Sequence, residues 1–327
     1  MLDKDSKIIV TGGAGFIGSC IVRTLNDRGY ENIYIVDNIA ETDKWMNIRN
    51  KKYIEYIPRD AFVDRLDDGD FDDVSAVIHM GACSSTTEKD FDYLWSNNVL
   101  FSELLWEFCA DLDIQFIYAS SAATYGDGAK GFDDASIDGL LPLNGYGYSK
   151  QVFDIWTKTQ TERPKQAVGL KFFNVYGPNE YYKGSMASMV FHGFGQIKKD
   201  GEIRLFKSCN DKYADGGQLR DFVYVKDVCK VIMFFLDNPD KSGIFNVGTG
   251  KAQSFAELAG AVFKALGLNE NIKYIDMPEH LKEKYQYYTQ AEMKKLRDAG
   301  YDEKFCNVEE GVADYVLNHL AKNFENY

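Results

Sequence analysis

A tyrosine and a lysine spaced four apart are the side chains best suited to chemistry in this sequence. Tyr146 and Lys150 lie in the stretch YGYSK, which leads into apolar residues at helical spacing. One helical turn would separate the two side chains and place them on the same face. A phenol with a pKa near ~10 is a weak base at neutral pH, but a neighbouring ammonium favours the phenolate. The pair could therefore accept a hydroxyl proton, although a solvated Tyr-Lys pair on a helix surface is the alternative.

A glycine-rich loop indicates which cofactor could serve an oxidation at that tyrosine. The stretch TGGAGFIGS follows the first predicted strand and contains Gly12, Gly15 and Gly18. A helical pattern comes next, and Asp37 ends the following strand about twenty residues on, as in dinucleotide-binding loops. Backbone N–H groups in such a loop can approach a pyrophosphate. The loop predicts a bound NAD or NADP, whose cationic ring would also favour the Tyr146 phenolate.

A serine at a strand end is the predicted partner of the tyrosine. Ser121 lies in YASSAATYG, at the carboxyl end of a predicted strand, where open α/β sheets bind their ligands. Ser120 is its direct competitor for this role.

The elements that must position these residues alternate in type along the first half of the chain. Short β-rich runs such as KIIVTG, NIYIVDN, YIEYI, AVIHMGA and QFIYASS are separated by amphipathic helical segments. AVGLKFFNVYG and GIFNVGTG read as further strands, and residues 252–301 as mostly helical. This pattern predicts a Rossmann-type, doubly wound parallel sheet with a smaller, sequence-interleaved lobe. We expect residues 1–177 and about 221–250 in the nucleotide domain, 178–220 and about 251–305 in the lobe, and a helix at about 306–327.

Composition excludes several classes of function. The formal net charge of −13 disfavours binding to nucleic acids or anionic membranes through bulk charge. The start of the chain lacks the pattern of a secretory signal, and the six scattered cysteines include no C-x-x-C pair. We expect a soluble cytoplasmic protein with reduced thiols and no metal site.

Taken together, these motifs resemble the extended short-chain dehydrogenase/reductase family. The resemblance rests on TGGAGFIG, the Ser121 region and Y-x-x-x-K. The segment LRDFVYVKDV also resembles the one with which nucleotide-sugar members hold phosphates, which suits Arg220. Dehydratases of the family carry an Asp-Glu pair where this chain has Ala122 and Ala123, so the resemblance implies epimerisation or simple redox chemistry.

A narrower resemblance is to the family's epimerases that act at C6 of ADP-heptose. It is carried by GACSSTTE, FFNVYGPNE, KGSMAS, RDFVYV, GIFNVGTG and YQYYTQAEM, which run nearly from end to end. It implies a reaction that transiently oxidises an exocyclic carbon and whose product supplies the heptose of the lipopolysaccharide core. It also implies that the protein is a homo-oligomer and that it uses NADP in preference to NAD, despite Asp37.

The same resemblance implies roles for individual residues. Tyr146 and Lys183 would be the two acid/base groups, Ser121 would assist, and Lys150 would anchor the nicotinamide ribose. The implied cofactor-binding residues are Gly12, Gly15, Phe16, Ile17, Gly18, Asp37, Asn38, Lys44, Arg59, Met80, Gly81, Ala82, Cys83, Ser84, Asn97, Lys150, Val175 and Lys183. The implied substrate-binding residues are Ser121, Asn174, Ser185, His192, Phe206, Lys207, Ser208, Cys209, Arg220 and Tyr285.

Other interpretations stay open at this point. Lys44, Arg59 and Lys183 could be solvated, and His192 could pack in the core. The chain could also be a UDP-hexose 4-epimerase that uses one tyrosine, or a non-catalytic scaffold that senses the cofactor. The linker before Arg220 is longer than in comparable family members, which leaves open whether Ser208 and Cys209 contact the substrate.

Overall fold

A large parallel sheet forms the centre of the molecule. The computed structural model describes residues 2–282 and 285–327. Among these residues, seven parallel strands are arranged in the order β3-β2-β1-β4-β5-β6-β10. These seven are among twelve strands in the described ranges: β1 (Lys7–Thr11), β2 (Ile33–Asp37), β3 (Glu55–Pro58), β4 (Val74–His79), β5 (Gln115–Ser121), β6 (Gln166–Phe172), β7 (Asn174–Tyr176), β8 (Ile203–Phe206), β9 (Leu219–Tyr224), β10 (Gly243–Val247), β11 (Ala252–Ser254) and β12 (Ile272–Ile275). The predicted Rossmann-type doubly wound sheet is confirmed.

Helices cover both faces of this sheet, as a parallel sheet requires. All helices of the described ranges, whether on this sheet or elsewhere, are α1 (Phe16–Asp27), α2 (Arg59–Asp67), α3 (Phe91–Trp95), α4 (Phe101–Asp111), α5 (Gly145–Thr159), α6 (Met189–Asp200), α7 (Val225–Asp237), α8 (Phe255–Ala265), α9 (Glu279–Lys282), α10 (Lys294–Asp298) and α11 (Val308–Asn318). Of these, α3 and α4 are joined through a π-helical turn, Ser96–Leu100, within one predicted helical segment. None of the described helices is long and apolar enough to cross a membrane.

The strands form where short apolar runs can be buried on both faces. Ile8, Ile9 and Val10 of β1 are fully buried, and the neighbouring strands repeat that pattern. The strand order reverses between β1 and β4, so the loops after these two strands diverge and open a crevice at the carboxyl edge of the sheet.

Close approach of two loops shapes the floor of that crevice. Gly12 follows β1 with a φ of +65°, in the left-handed region that favours glycine. A Cβ at Gly12 would lie 2.7 Å from the backbone nitrogen of Gly81, which follows β4. The two glycines therefore leave backbone, rather than side chains, facing the crevice.

One predicted strand is in fact two. AVGLKFFNVYG was expected to be a single strand, but β6 belongs to the central sheet and β7 pairs in parallel with β9 in a separate three-stranded sheet, β11-β9-β7. The chain changes sheet at Phe173, whose N–H donates to the carbonyl of Val247 at the end of β10. Periodicity could not reveal this change because both strands are rich in β-forming residues.

The prediction of mostly helical structure for residues 252–301 was wrong. The segment contains β11, β12 and an extended stretch, with α8 as its one longer helix in the part that the structure describes. β12 pairs in parallel with β8, so strand pairing with a distant segment overrides local propensity. The predicted helix at about 306–327 is shorter, because α11 ends at Asn318. The division into two lobes stays a prediction.

Candidate active site

A cleft of about 630 Å³ opens at the carboxyl ends of the central strands. It brings together most of the predicted cofactor-binding residues and the four predicted catalytic ones. The predicted residues that line it are Gly12, Gly15, Phe16, Ile17, Gly18, Asp37, Lys44, Met80, Gly81, Ala82, Cys83, Ser84, Ser121, Tyr146, Lys150, Asn174, Val175 and Lys183.

The glycine loop presents the start of a helix to this cleft. Helix α1 begins at Phe16, and Gly15 before it has no side chain with which to cap the first backbone N–H groups. Those groups and the positive end of the helix dipole form a site for an anion. Because a Cβ at Gly12 would collide with the backbone of Gly81, only glycine at position 12 lets the loops after β1 and β4 pack this closely. The residues present therefore fit the pyrophosphate of a dinucleotide.

Asp37 lies beside the loop at the end of β2. Its carboxylate accepts hydrogen bonds from the Ala14 N–H at 3.0 Å and from the Lys44 ammonium at 2.8 Å. The Lys44 ammonium also donates to the carbonyl of Asn38 at 2.7 Å. The strand end that would meet the adenosine ribose thus carries a paired negative and positive charge.

Three further predicted cofactor residues contact one another near Asp37. The backbone N–H of Arg59 donates to the Asn38 side chain at 3.3 Å, and the Arg59 guanidinium donates to the side chain of Asn97. The guanidinium also pairs with the exposed Asp60. Asn97 lies in the π-helical turn between α3 and α4, and its side-chain amide donates to the Tyr93 carbonyl at 2.8 Å.

The same turn supplies a residue that the sequence analysis missed. Asn98 is fully buried, accepts from the Cys83 N–H at 2.8 Å and donates to the Cys83 carbonyl at 3.0 Å. It also donates to the Ser149 hydroxyl at 2.9 Å. Asn98 therefore ties the cleft wall after β4 to helix α5, although no sequence motif marks it.

Helix α5 carries the tyrosine and the lysine into the cleft. Asn144 caps the helix by accepting from the Gly147 N–H at 2.8 Å. A Cβ at Gly147 would lie 2.8 Å from the Ala123 carbonyl, so only glycine lets the helix pack this closely against the turn after β5. Tyr146 and Lys150 are thereby held beside Ser121, at the carboxyl end of β5.

Burial controls the ionisation of the pair. It raises the pKa of Tyr146 above its ordinary value, while an interaction with the Ser121 hydroxyl acts in the opposite direction. It lowers the pKa of Lys150 to about 8, against the influence of the Asp154 carboxylate. The lowered tyrosine pKa expected from the sequence does not arise from the polypeptide's own groups, so it would require the cationic ring of the cofactor.

The two candidate serines differ in their hydrogen bonds. Ser120 donates to the buried Asp154 carboxylate at 2.6 Å, whereas the Ser121 hydroxyl accepts from the Ala123 N–H at 3.1 Å. The Ser121 hydroxyl keeps its proton for another acceptor. The geometry therefore favours Ser121 over Ser120 as the partner of Tyr146.

Asp154 belongs to a buried ion pair that the sequence analysis also missed. Its carboxylate accepts from Lys171 at 2.6 Å and from the Tyr118 hydroxyl at 3.1 Å, and both charged side chains are fully buried. Lys171 also donates to the Thr124 hydroxyl at 2.7 Å. The spacing of Tyr146, Lys150 and Asp154, each four residues after the last, was the signal available in the sequence.

Lys183 approaches the cleft from a different element. It follows a short 3-10 turn, Glu180–Tyr182, and its ammonium lies 5.5 Å from the centre of the Phe16 ring. Burial lowers the pKa of Lys183, with the buried Glu180 carboxylate acting in the opposite direction. A lysine held this way can exchange a proton more readily than a solvated one.

Most of the predicted substrate residues form a second cluster, around Arg220. The Arg220 guanidinium donates to the Leu219 carbonyl at 2.8 Å and to the Gln286 carbonyl, and it lies 5.4 Å from the Tyr285 ring centre. Burial lowers its pKa, and none of the described carboxylates pairs with it. A buried arginine in that state is suited to bind phosphate oxygens.

The remaining predicted residues lie around this cluster. Phe206 ends β8, Lys207 pairs with Asp276 at 2.9 Å, and the Cys209 N–H donates to the Tyr287 hydroxyl at 3.2 Å. The Ser208 hydroxyl donates to the Asn210 carbonyl at 2.8 Å. Pairing of β7 with β9 links the cluster to the cleft, because Asn174, which lines the cleft, is in register with Phe222, two residues from Arg220.

Two predicted substrate residues stand apart from these contacts. Ser185 is exposed in the turn after Lys183. His192 is half-buried on α6 with its ring 5.6 Å from that of Phe191, which is also compatible with a packing role.

Comparison with known proteins identifies the class of protein that this fold and cleft define. Residues 8–248 match the model of the NAD dependent epimerase/dehydratase family. The chain belongs to this family.

Individual relatives narrow the comparison. The ADP-L-glycero-D-manno-heptose-6-epimerase of Nitratidesulfovibrio vulgaris (strain DP4) is 53% identical over 316 residues, which cover 96% of this chain and 98% of the relative. The crystal structure of the Helicobacter pylori enzyme of the same name superposes with a TM-score of 0.78 and 27% identity, covering 96% of both chains. The UDP-glucose 4-epimerase of Thermus thermophilus, solved with NAD, gives a TM-score of 0.76 and 26% identity, covering 95% of this chain and 97% of that one.

The buried ion pair generates a prediction about stability. Replacing Asp154 with alanine leaves the Lys171 ammonium buried without its partner, so the free energy of unfolding should fall by roughly 3–5 kcal/mol. The matched control is Asp138→Ala, which removes the exposed Lys158–Asp138 pair and should cost at most about 1 kcal/mol. Urea unfolding of both variants measures the difference. Equal losses would show that the buried pair does not hold α5 in place.

Proposed function

We propose that this chain epimerises ADP-D-glycero-β-D-manno-heptose at C6 to ADP-L-glycero-β-D-manno-heptose, a precursor of lipopolysaccharide core heptose. The observation that carries the proposal is the presence of two distinct acid/base candidates, Tyr146 and Lys183, in one cleft beside a dinucleotide-binding loop. The extent of identity to a relative named for this activity supports the choice of substrate.

Inversion at a carbon requires proton transfer at two positions, and the cleft offers a group for each. Tyr146 projects from α5, while Lys183 projects from the loop after Asn179. Ala122 and Ala123 follow Ser121 in a short 3-10 turn and offer no acid to expel a hydroxyl. This arrangement favours epimerisation over dehydration.

The chain's own residues would act in a defined order. A nicotinamide cofactor held by the glycine loop and Lys150 would supply reversible hydride transfer at C6 of the heptose. One of Tyr146 and Lys183 removes the proton of the C6 hydroxyl as the hydride leaves, which gives a 6-keto sugar. Rotation of the exocyclic arm presents the opposite face, and the other residue protonates the oxygen as C6 is reduced. No net oxidation occurs, and Ser121 and Lys150 orient the reacting groups.

Substitution of the two proposed acid/base residues tests this assignment. Tyr146→Phe and Lys183→Met should each lower kcat by about 10²–10⁴-fold, because each removes a proton-transfer group. Inversion at C6 can be followed by NMR with purified ADP-D-glycero-D-manno-heptose. The controls are Tyr148→Phe, which alters a half-exposed tyrosine of the same helix, and Lys198→Met on α6.

Three outcomes would contradict the assignment. Full inversion by either Tyr146→Phe or Lys183→Met would exclude that residue as an acid/base group. Turnover of UDP-glucose without inversion of the heptose would indicate a 4-epimerase. Cofactor binding with no turnover of any nucleotide sugar would indicate a scaffold.

NADP is the cofactor that we propose in preference to NAD. The Asp37 carboxylate is already paired with Lys44, and Arg59 lies nearby, because its backbone N–H donates to the side chain of Asn38. Both cations are partly buried and can reorient toward a 2′-phosphate, whereas NAD would rely on Asp37 alone.

Cofactor titration tests this preference. Lys44→Gln and Arg59→Gln should each weaken NADPH binding by about tenfold, through loss of a charged hydrogen bond, and leave NADH binding nearly unchanged. Fluorescence titration measures both constants, with Lys52→Gln, which alters an exposed pair with Glu31, as the control. Tighter binding of NADH than of NADPH by the unaltered chain would refute the proposal.

We also propose that the chain forms a homo-oligomer and that it acts in the cytoplasm. Tyr93, Trp95 and Tyr148 are exposed on neighbouring helices, where the ring of Phe91 stacks on that of Tyr148 at 5.7 Å. An exposed aromatic face of this kind is typical of an association surface.

A further inference from the structure

The tail of the sequence, residues 323–327, folds back against the walls of the cofactor cleft. Asn323 and Phe324 adopt φ values of 58° and 60°, a conformation that side chains other than glycine rarely adopt. Such a backbone persists only where surrounding contacts hold it. The tail is therefore fixed by what it touches.

Two buried asparagines receive the tail, and both line the cofactor cleft. The Asn326 amide donates to the side-chain oxygens of Asn47 at 2.8 Å and of Asn179 at 3.2 Å. The backbone N–H of Tyr327 donates to the same oxygen of Asn179 at 2.9 Å, and the Tyr327 carbonyl accepts from Lys51 at 2.5 Å.

These asparagines hold the two halves of the proposed catalytic machinery. Asn47 donates to the carbonyl of Ala14 in the glycine loop at 3.1 Å, and to the carbonyl of Asn179 at 3.2 Å. Asn179 donates to the Ser19 hydroxyl of α1 at 2.9 Å and has a φ of +74°. It immediately precedes the turn that presents Lys183.

We propose that the tail is a positioning element that fixes the glycine loop and the Lys183 loop relative to each other and thereby retains the nicotinamide cofactor. Without the Asn326 amide, the side-chain oxygens of Asn47 and Asn179 lose a donor and both loops can shift. The effect would fall on the cofactor because both asparagines face its cleft. The proposal rests on the proposed function, which supplies the identity of the ligand.

A second set of contacts anchors the tail independently of the asparagines. The Tyr181 hydroxyl donates to the Glu325 carbonyl at 2.9 Å, and the Tyr181 ring lies 5.7 Å from that of Phe324. The Lys226 ammonium lies 4.7 Å from the centre of the Tyr327 ring. Tyr181 precedes Lys183 by two residues, so the tail contacts the segment before Lys183 at two residues, Asn179 and Tyr181.

Isosteric substitution of Asn326 separates positioning from simple packing. Asn326→Asp keeps the shape but turns the donor into a carboxylate that faces two amide oxygens, whereas Asn326→Ala removes the whole amide and introduces no charge. We expect the NADPH dissociation constant to rise about tenfold for Asn326→Ala and further for Asn326→Asp, with a faster dissociation rate in both. Tyr181→Phe should give a smaller rise through the second anchor, and it serves as the test if the Asn326 variants fold poorly.

The matched control is Asn318→Ala, which removes a hydrogen bond to Asp314 within α11, away from the cleft. NADPH binding is measured by fluorescence titration, beside the thermal midpoint of each variant without cofactor. Weaker binding by the Asn326 variants than by an Asn318 variant of equal thermal midpoint supports the proposal. Wild-type binding by the Asn326 and Tyr181 variants, or losses that follow thermal stability alone, overturns it. A wild-type chain that binds neither NADPH nor NADH overturns both this proposal and the proposed function.

Discussion

The contacts of the buried Asp154 carboxylate are the interactions on which the rest of the site depends. They join three elements, because α5 supplies the carboxylate while β5 and β6 supply its partners Ser120 and Lys171. Tyr146 lies eight residues earlier on the same face of α5. Any movement of the helix against the strand ends would therefore move the tyrosine away from Ser121. Small displacements of this kind are costly for reactions that depend on alignment.

Burial that positions these groups also sets their charge. It lowers the pKa of Lys150 and of Lys183 and raises that of Tyr146, so all three neutral forms gain relative to the charged ones. A cleft of this kind responds strongly to one added charge. The cationic ring of an oxidised nicotinamide would favour the phenolate of Tyr146, and it would lose that influence once reduced. In the proposed reaction, this change would help Tyr146 to carry out one of the two proton transfers, while Lys183 carries out the other.

Structural features that depend on neighbours in sequence could be predicted from local patterns. The strands of the central sheet, the glycine loop and the Tyr146–Lys150 pair each follow from residue spacing alone. Features made by distant segments were missed or misjudged. The break between β6 and β7 depends on β9, and the pairing of β12 depends on β8. Asn98, Lys171 and the two asparagines that receive the tail carry no local signature, because their partners lie far away in the chain.

Titration of Tyr146 with and without cofactor shows whether the cofactor controls the charge of this side chain. Tyrosines labelled with ¹³C at Cζ can be followed by NMR across pH, with Tyr146 assigned by comparison with Tyr146→Phe. We predict that the pKa of Tyr146 lies above the ordinary value of 10.0 in the chain alone and falls when NADP⁺ is bound. A Tyr146 signal whose titration is the same with and without NADP⁺ would contradict it.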